Sequence, residues 1–318
     1  MSRQESLKSL FIYLYRAKLA RLFLLMFVFY SGVSWYILEV IITPKRIINT
    51  ITPEQLGLQA TNFISFHAPE DGLRLQGWLV PTGGKKVVVL LHGVHSYAWD
   101  GNLVELTHAY TRSGIDVLLF DLRGHGWSDG TSVGLGIREK GDVRAAVDEL
   151  LERGYDPGKI GIHGLSYGAA VALLAASEVK EIGAIVADSS FADVRDVVTG
   201  EIQRETGLPA AMAELCLPGI RILARLIYSI DIAESAPERI IGTIDPRPVL
   251  LIHGTEDNFI SFDQANRLKA AAGANVELWP LVGYRHTEGL RLAPGYPEWS
   301  PMRERYLDKV TDFFHSKL

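Results

Sequence analysis

The chain has 318 residues, of which 47% are hydrophobic and 22% are charged, so it can fill the core of one large domain and still leave an extra segment. A formal net charge of −5 provides no basic patch, which argues against a nucleic-acid partner. The single cysteine, Cys216, excludes a disulfide within the chain, and we expect it to serve in packing.

An apolar helix near the N-terminus is the first predicted element. Residues 22–38 carry no charge, and the apolar run extends to residue 42 if Glu39 lies near an interface, which approaches the roughly 20 residues needed to cross a bilayer. Three aromatic side chains in the run suit an interfacial position: Tyr30, Trp35 and Tyr36. We predict a basic N-terminal segment at 1–21, a transmembrane anchor at 22–42 and a linker at 43–59. A cleaved signal peptide and a helix packed on the protein are the alternatives.

Basic residues around this run predict its orientation. Those that precede it are Arg3, Lys8, Arg16, Lys18 and Arg21, whereas only Lys45 and Arg46 closely follow it. The positive-inside rule then keeps the N-terminus in the cytoplasm and places the rest of the chain on the other side of the membrane. The expectation is a single-pass membrane protein whose main domain is extracytoplasmic.

From residue 60 to residue 318 the order of strands and helices predicts one α/β domain. Segments 62–66 and 73–80 alternate apolar and polar residues, as expected of an antiparallel pair that opens a sheet. Apolar strands and helices then follow one another, which is typical of a mostly parallel twisted sheet with helices on both faces. In chain order these later elements are the strands 86–91 and 116–120, a helix at 136–153, a strand and helix at 159–163 and 169–176, the strands 184–187, 249–252 and 276–281, and a final helix at 302–317.

The alternation breaks between residues 191 and 246. This insertion holds two segments that are apolar at helical spacing, residues 208–215 and 220–228. We predict that 191–246 forms a small helical cap above the carboxyl ends of the strands, where it would cover a binding site. Helices that simply pack on the sheet are the alternative.

The pentapeptide Gly-Leu-Ser-Tyr-Gly at 164–168 joins a predicted strand to a predicted helix. A strand that turns sharply into a helix through G-x-S-x-G presents its serine as a nucleophile above the sheet, and the two glycines avoid clashes in the turn. The first N–H groups of the helix point towards any developing negative charge. Ser166 is therefore the predicted nucleophile.

A serine nucleophile needs a base, and in this architecture an acid and then a histidine follow the serine along the chain. Of the 9 histidines, only His253, His286 and His315 follow Ser166. His253 precedes the candidate carboxylates, and His315 lies in the final helix as a surface residue. We therefore predict that His286, in the loop after the strand 276–281, is the base. A purely structural histidine in that loop is the alternative.

The acid that orients the histidine is expected in the loop after the strand 249–252. Glu256 and Asp257 both lie in this loop, and the H-G-x-x-D spacing from His253 favours Asp257. Glu256 is then a solvated neighbour. Asp188, at the end of the strand 184–187, is a further alternative.

Two backbone N–H groups are predicted to form an oxyanion hole. One belongs to Tyr167, directly after the nucleophile, and the other to Val94, in the loop after the strand 86–91. His92 and His95 in that loop have the spacing of a metal-binding pair, but they lie outside any predicted helix and lack a third ligand. We therefore predict neither a metal ion nor a cofactor.

These motifs, taken in order, resemble the α/β-hydrolase superfamily, near its monoglyceride-lipase, serine-aminopeptidase-like and Bem46-like branches. They are His92-Gly93, the octapeptide Asp-Leu-Arg-Gly-His-Gly-Trp-Ser at 121–128, the pentapeptide around Ser166, the segment His-Gly-Thr-Glu-Asp at 253–257, and His286. The resemblance covers roughly residues 60 to 318 and implies the α/β-hydrolase fold with a serine triad. It also implies that 121–128 supports the site, with Trp127 as a wall of the pocket. The fold alone does not specify a substrate.

Together these patterns predict a membrane-anchored serine hydrolase that cleaves carboxylic esters through an acyl-enzyme. The expected partners are a membrane and an ester or lipid-like small molecule with an apolar acyl group, while the oligomeric state is left open. Amide, peptide or thioester hydrolysis on the same triad is the nearest alternative. A non-catalytic hydrolase-like binding domain is the alternative from another class.

Overall fold

A computed structural model describes residues 3–48, 50–58, 61–291 and 300–318, with side chains described from residue 11 onwards. Residues 49, 59 and 60, at which the predicted linker and the start of the predicted domain fall, lie outside this part. The chain divides into two compact units, one of Met1–Ile41 with Thr199–Asp231 and one of Ile42–Val198 with Ile232–Leu318. We refer to them as the helical unit and the sheet unit.

The sheet unit contains an eight-stranded sheet in the spatial order β1-β2-β4-β3-β5-β6-β7-β8. Its strands are β1 Asn62–His67, β2 Arg74–Val80, β3 Val87–Leu91, β4 Asp116–Phe120, β5 Ile160–Leu165, β6 Ile182–Asp188, β7 Val249–Gly254 and β8 Val276–Leu281. The first two strands pair antiparallel, β2 pairs antiparallel with β4, and every later pairing is parallel. The predicted mostly parallel sheet is confirmed.

Helices flank this sheet, as the alternating pattern predicts. The α-helices of the described residues are α1 Arg3–Ile42, α2 Gly101–Arg112, α3 Glu139–Glu152, α4 Tyr167–Glu178, α5 Val194–Thr206, α6 Ala210–Tyr228, α7 Pro237–Ile240, α8 Phe262–Ala271 and α9 Arg303–Lys317. Helices α1 and α6 belong to the helical unit, and the boundary between the units falls inside α5.

The central strands are mostly apolar because both faces of the sheet are covered. Every residue of β3 and of β4 is buried. By contrast, exposed and buried residues alternate along β1, at the edge of the sheet. The continuous apolar runs and the alternating run in the sequence thus correspond to central and edge strands.

The helical unit begins with α1, which is longer than the predicted anchor. Its apolar run ends at Ile42 as predicted, but the helix starts at Arg3, so the basic segment is part of the same helix. The stretch Phe11–Ile42 is long and apolar enough to cross a membrane, with a mean hydropathy of 1.8. Each side chain from Leu22 to Phe29 is more than half exposed.

The two apolar segments of the insertion form one helix, α6, despite Pro218 in its interior. The Tyr30 hydroxyl of α1 donates to the Leu215 carbonyl oxygen at 3.0 Å and accepts from the Gly219 N–H at 3.0 Å. These two backbone groups would bond each other in a regular helix. The Tyr30 hydroxyl therefore bridges a turn that opens next to the proline.

Two further contacts join α1 and α6 within the helical unit. A Cβ atom on Gly219 would lie 2.4 Å from the Ser34 Oγ, so glycine is needed where the helices approach closely. The Tyr228 hydroxyl donates to the Glu39 carboxylate, which gives the acidic residue of the apolar run a partner. The insertion and the N-terminal helix thus form one unit, a grouping that the sequence does not indicate. The predicted cap over Ser166 stays a prediction.

Candidate active site

Ser166 lies in a sharp turn between β5 and α4, with φ 55° and ψ −117°. The turn brings backbone segments so close that side chains at the flanking positions have no room. A Cβ on Gly164 would lie 2.1 Å from the Gly168 oxygen, and a Cβ on Gly168 would lie 2.3 Å from the Leu91 oxygen. Both glycines are required by close backbone approach, as the motif predicts.

His286 lies between Ser166 and Asp257 in a continuous hydrogen-bonded chain. Its Nε2 lies 2.8 Å from the Ser166 Oγ, and its Nδ1 lies 2.7 Å from the Asp257 Oδ2. The three side chains come from the loops that follow β5, β7 and β8, whose carboxyl ends share one edge of the sheet. The carboxylate accepts a hydrogen bond from the Nδ1–H group, so Nε2 is left with its lone pair towards the serine hydroxyl.

Asp257 is buried and surrounded by donors. Its Oδ1 accepts the N–H groups of Phe259 at 2.8 Å and Ile260 at 2.9 Å. Burial alone would raise the pKa of Asp257, but hydrogen bonds from His253, His286 and the Ile260 N–H outweigh burial and hold it well below its usual range. Asp257 is therefore ionised at neutral pH and can stabilise a positive charge on His286.

The two competing carboxylates differ sharply in their surroundings. Glu256 is exposed to solvent, as expected of a neighbour outside the site. Asp188 is buried and accepts hydrogen bonds from the Ser189 Oγ at 2.8 Å and the Tyr306 hydroxyl at 2.7 Å. The carboxylate that contacts the His286 ring is Asp257.

The two predicted oxyanion donors lie close to Ser166. Tyr167 is its neighbour along the chain, and Val94 is its neighbour in space. Tyr167 is the first residue of α4, and its own hydroxyl accepts the Gly136 N–H at 2.8 Å inside the core. Val94 lines the same cavity as Ser166, and its carbonyl oxygen lies 2.6 Å from the Nε2 of His125. The role of the two N–H groups stays a prediction.

A cavity of about 350 Å³ opens at Ser166. The residues that line it include the loop from His92 to Ser96, the start of α2, Phe259 and His286. The rings of Phe259 and His286 lie with their centroids 4.8 Å apart. Trp127 does not line this cavity, so the expectation of a tryptophan wall is wrong. Its side chain is 45% exposed instead.

His92 is engaged within the protein at both ring nitrogens. The Nδ1 donates to the Gly93 oxygen at 2.7 Å, and the Nε2 accepts the Leu122 N–H at 3.0 Å. Burial and the nearby His125 lower the pKa of His92 to about 3, so the ring is neutral. Neither nitrogen has a lone pair free for a metal ion.

The loop from Asp121 to Ser128 supports neighbouring loops through hydrogen bonds. The Asp121 carboxylate accepts the N–H groups of Ala98 at 2.8 Å and Trp127 at 3.0 Å. His125 has a carbonyl oxygen at each ring nitrogen, that of Arg123 at 2.9 Å and that of Val94 at 2.6 Å. The segment thus holds the loop that carries Val94.

His253 is a site residue that the sequence reasoning passed over. Its Nε2 lies 2.8 Å from the Ile260 oxygen and 3.3 Å from the Asp257 Oδ2, so one N–H serves both acceptors. The H-G-x-x-D spacing from His253 to Asp257 is the signal in the sequence that could have indicated this contact.

A family model described as "Alpha/beta hydrolase family" matches residues 88–295 of the chain. This range is more than half of the sequence and contains Ser166, Asp257 and His286. The chain belongs to the alpha/beta hydrolase family. Its branch within that family stays a prediction.

Similar proteins come from several microorganisms. The uncharacterized protein YqkD of Bacillus subtilis is 31% identical over 200 residues, which are 62% of this chain and 64% of YqkD. The uncharacterized protein YfhR of Escherichia coli O157:H7 is 28% identical over 210 residues, 64% of this chain and 66% of YfhR. The match thus spans slightly less than two thirds of each relative. Among solved structures, the Pyrococcus furiosus esterase Pf2001 has a TM-score of 0.65 and 28% identity, and it covers 86% of this chain and 99% of its own.

Proposed function

We propose that this alpha/beta hydrolase is a membrane-anchored serine hydrolase that cleaves carboxylic esters through an acyl-enzyme. The observation that carries the proposal is the position of His286, 2.8 Å from the Ser166 Oγ and 2.7 Å from the Asp257 Oδ2. A nucleophile, a base and an orienting acid within hydrogen-bond reach are what acyl transfer requires.

In the proposed reaction, the His286 Nε2 takes the proton of the Ser166 hydroxyl as the Oγ attacks the ester carbonyl. The N–H groups of Val94 and Tyr167 stabilise the oxyanion, each by about 3 kcal/mol. The alcohol leaves with the proton from His286, and a water molecule activated by the same nitrogen then releases the acid. Asp257 holds the imidazole in the tautomer that this cycle needs.

Two observations favour an ester as substrate. The solved structure with 28% identity is that of a protein named as an esterase. The apolar side chains of Phe259, Leu165 and Leu103 line the cavity at Ser166, where an apolar acyl group would lose its contact with water.

The proposed anchor is α1. Its exposed apolar stretch from Leu22 to Phe29 has no protein partner that would bury it within the described residues, and a bilayer would cover it. The basic residues that precede the stretch favour an N-terminus in the cytoplasm and a sheet unit on the outer side of the membrane.

A fluorophosphonate probe and a substrate series test the proposal on the full chain in detergent. The wild type should bind the probe covalently, and Ser166→Ala should not. Catalytic efficiency on p-nitrophenyl esters should rise from acetate to at least hexanoate, since each buried methylene adds up to about 0.8 kcal/mol.

Several results would count against this proposal. Equal labelling of Ser166→Ala would contradict the nucleophile, and a folded wild type without labelling would favour a binding domain. A steady fall in efficiency from acetate onwards would rule out the apolar acyl pocket. Faster turnover of matched amides or thioesters would show that these compounds, rather than esters, are the preferred substrates.

A further inference from the structure

Two residues with positive φ meet beside His286. Thr287, directly after the histidine, has φ 53°, and Ser189, directly after β6, has φ 59°. A β-branched residue such as threonine is strained in this region, so surrounding contacts must hold it there. The backbone that sets the direction of the His286 ring is therefore under strain.

A hydrogen bond ties the two strained residues together. The Thr287 N–H donates to the Ser189 Oγ at 3.2 Å, and the Ser189 hydroxyl donates a hydrogen bond to the Asp188 Oδ1 at 2.8 Å. A hydroxyl has a single proton, so a serine that donates to Asp188 presents only lone pairs to Thr287. Asp188 thereby orients Ser189 as an acceptor.

The segment Asp188-Ser189 is itself held on several sides. The Tyr306 hydroxyl donates to the second Asp188 oxygen at 2.7 Å. The Ser189 N–H donates to the Ile252 oxygen of β7 at 2.8 Å, and the Asp188 carbonyl oxygen accepts the Ser166 N–H at 2.8 Å. Two consecutive residues thus connect the turn that carries Ser166 to the loop that carries His286.

We propose that Ser189 is a positioning residue that holds the strained Thr287 backbone and so keeps the His286 ring between Ser166 and Asp257. This inference rests on the proposed function, because it concerns the base of that reaction. Without the Ser189 hydroxyl, Thr287 relaxes towards negative φ and the imidazole turns away from the serine.

Four proteins test the role of Ser189: the wild type, Ser189→Ala, the double variant Ser189→Ala/Thr287→Gly, and the matched control Ser190→Ala. Ser190 is the neighbouring buried serine, and its hydroxyl donates to the Phe191 oxygen at 2.9 Å rather than to the histidine loop. The readouts are the rate of fluorophosphonate labelling, kcat and KM on an ester, and Tm.

Ser189→Ala should lower kcat and the labelling rate by about 10- to 100-fold with little change in KM, because a small displacement of the base costs this much. Ser190→Ala should leave both rates near those of the wild type. Glycine adopts positive φ without strain, so the double variant should recover most of the lost rate. Such recovery is not expected if Ser189 only stabilises the fold.

Wild-type rates in Ser189→Ala, or a loss that Thr287→Gly does not recover, would overturn the inference. If the wild type itself neither hydrolyses esters nor reacts with the probe, the proposed function fails instead. The ring-nitrogen NMR signals of His286 then decide the positioning role. A single ordered state in the wild type that becomes mobile only in Ser189→Ala supports it, and identical signals in both proteins refute it.

Discussion

Two buried carboxylates lie close to the histidine loop, and their contacts give them different roles. Asp257 contacts the imidazole itself, whereas within the described residues the Asp188 carboxylate accepts hydrogen bonds from the hydroxyl groups of Ser189 and Tyr306. Burial raises the pKa of Asp188 in spite of these hydrogen bonds, while the donors around Asp257 lower its pKa. Asp188 thus supports the backbone at Thr287 through Ser189, whereas Asp257 is placed to stabilise a positive charge on His286.

Substitution of each carboxylate by its amide should separate these roles. Asp257→Asn should lower kcat by about 10³- to 10⁴-fold, because an amide at this position favours the wrong tautomer of His286. Glu256→Gln should change little, since Glu256 is exposed. Asp188→Asn keeps an oxygen that can accept from Ser189 and should cost far less than Asp257→Asn. Steady-state kinetics on one ester measures all three variants. A larger loss of kcat in Glu256→Gln than in Asp257→Asn would show that Glu256 is the acid.

The G-x-S-x-G pentapeptide and chain order select Ser166, Asp257 and His286, because few residues of the right type follow each strand. The structure brings these side chains within hydrogen-bond reach of one another, and their catalytic roles stay predictions. The contacts of Ser189 and His125 could not be predicted from chain order. Ser189 approaches Thr287 only when β6 and β8 end at the same edge, and His125 approaches Val94 only through folded loops. The motif at 121–128 identifies the loop that contains Trp127 but not the direction in which its side chain points.

At the level of secondary-structure elements, the strand bounds predicted from apolar runs lie within one or two residues of the strand bounds in the structure. The helix α3 starts at Glu139 rather than residue 136, since the Glu139 carboxylate accepts the N–H groups of Gly134 and Gly136 and holds the residues before the helix as a loop. Such side-chain bonds to backbone groups give no periodic signal in the sequence.

Two helical glycines should respond in opposite ways to alanine. A Cβ on Gly168 would meet the Leu91 oxygen at 2.3 Å, and this backbone atom cannot move aside, so Gly168→Ala should cost about 3 kcal/mol or more. A Cβ on Gly141 would meet only the Glu70 carboxyl group, at 3.6 Å. Gly141→Ala should therefore stabilise α3 by up to about 1 kcal/mol. Thermal unfolding checks both, and a stable, active Gly168→Ala protein would contradict the elbow packing.

The bridge between α1 and α6 predicts a local effect of Tyr30→Phe. Loss of the hydroxyl removes the partner of the Leu215 oxygen and of the Gly219 N–H, and a lost hydrogen bond costs about 0.5–1.5 kcal/mol. Hydrogen exchange at Gly219 should become faster, by about tenfold for each 1.4 kcal/mol. Tyr36→Phe, at a position 63% exposed on the same helix, serves as the control. Equal exchange in the two variants would show that the bridge adds nothing.

At the level of the whole molecule, the predicted anchor and its orientation can be tested in cells. The protein should stay with the membrane after carbonate washing and dissolve only in detergent. If the sheet unit lies outside the cytoplasm, protease should digest it once the outer barrier is opened. Digestion only after lysis would place the sheet unit in the cytoplasm, and release by carbonate would rule out an embedded anchor.

The hydroxyl of Tyr30 has a practical consequence for anyone who shortens this protein to remove its long apolar helix. A chain that begins near Ile42 retains every strand, yet it lacks the group that closes the turn of α6 beside Pro218. The shortened protein would therefore expose two unpaired backbone groups in a helix far away in sequence, and it should be cleaved there during purification. Pro218→Ala, which lets α6 form a regular ladder by itself, is the substitution to include when the first helix is removed.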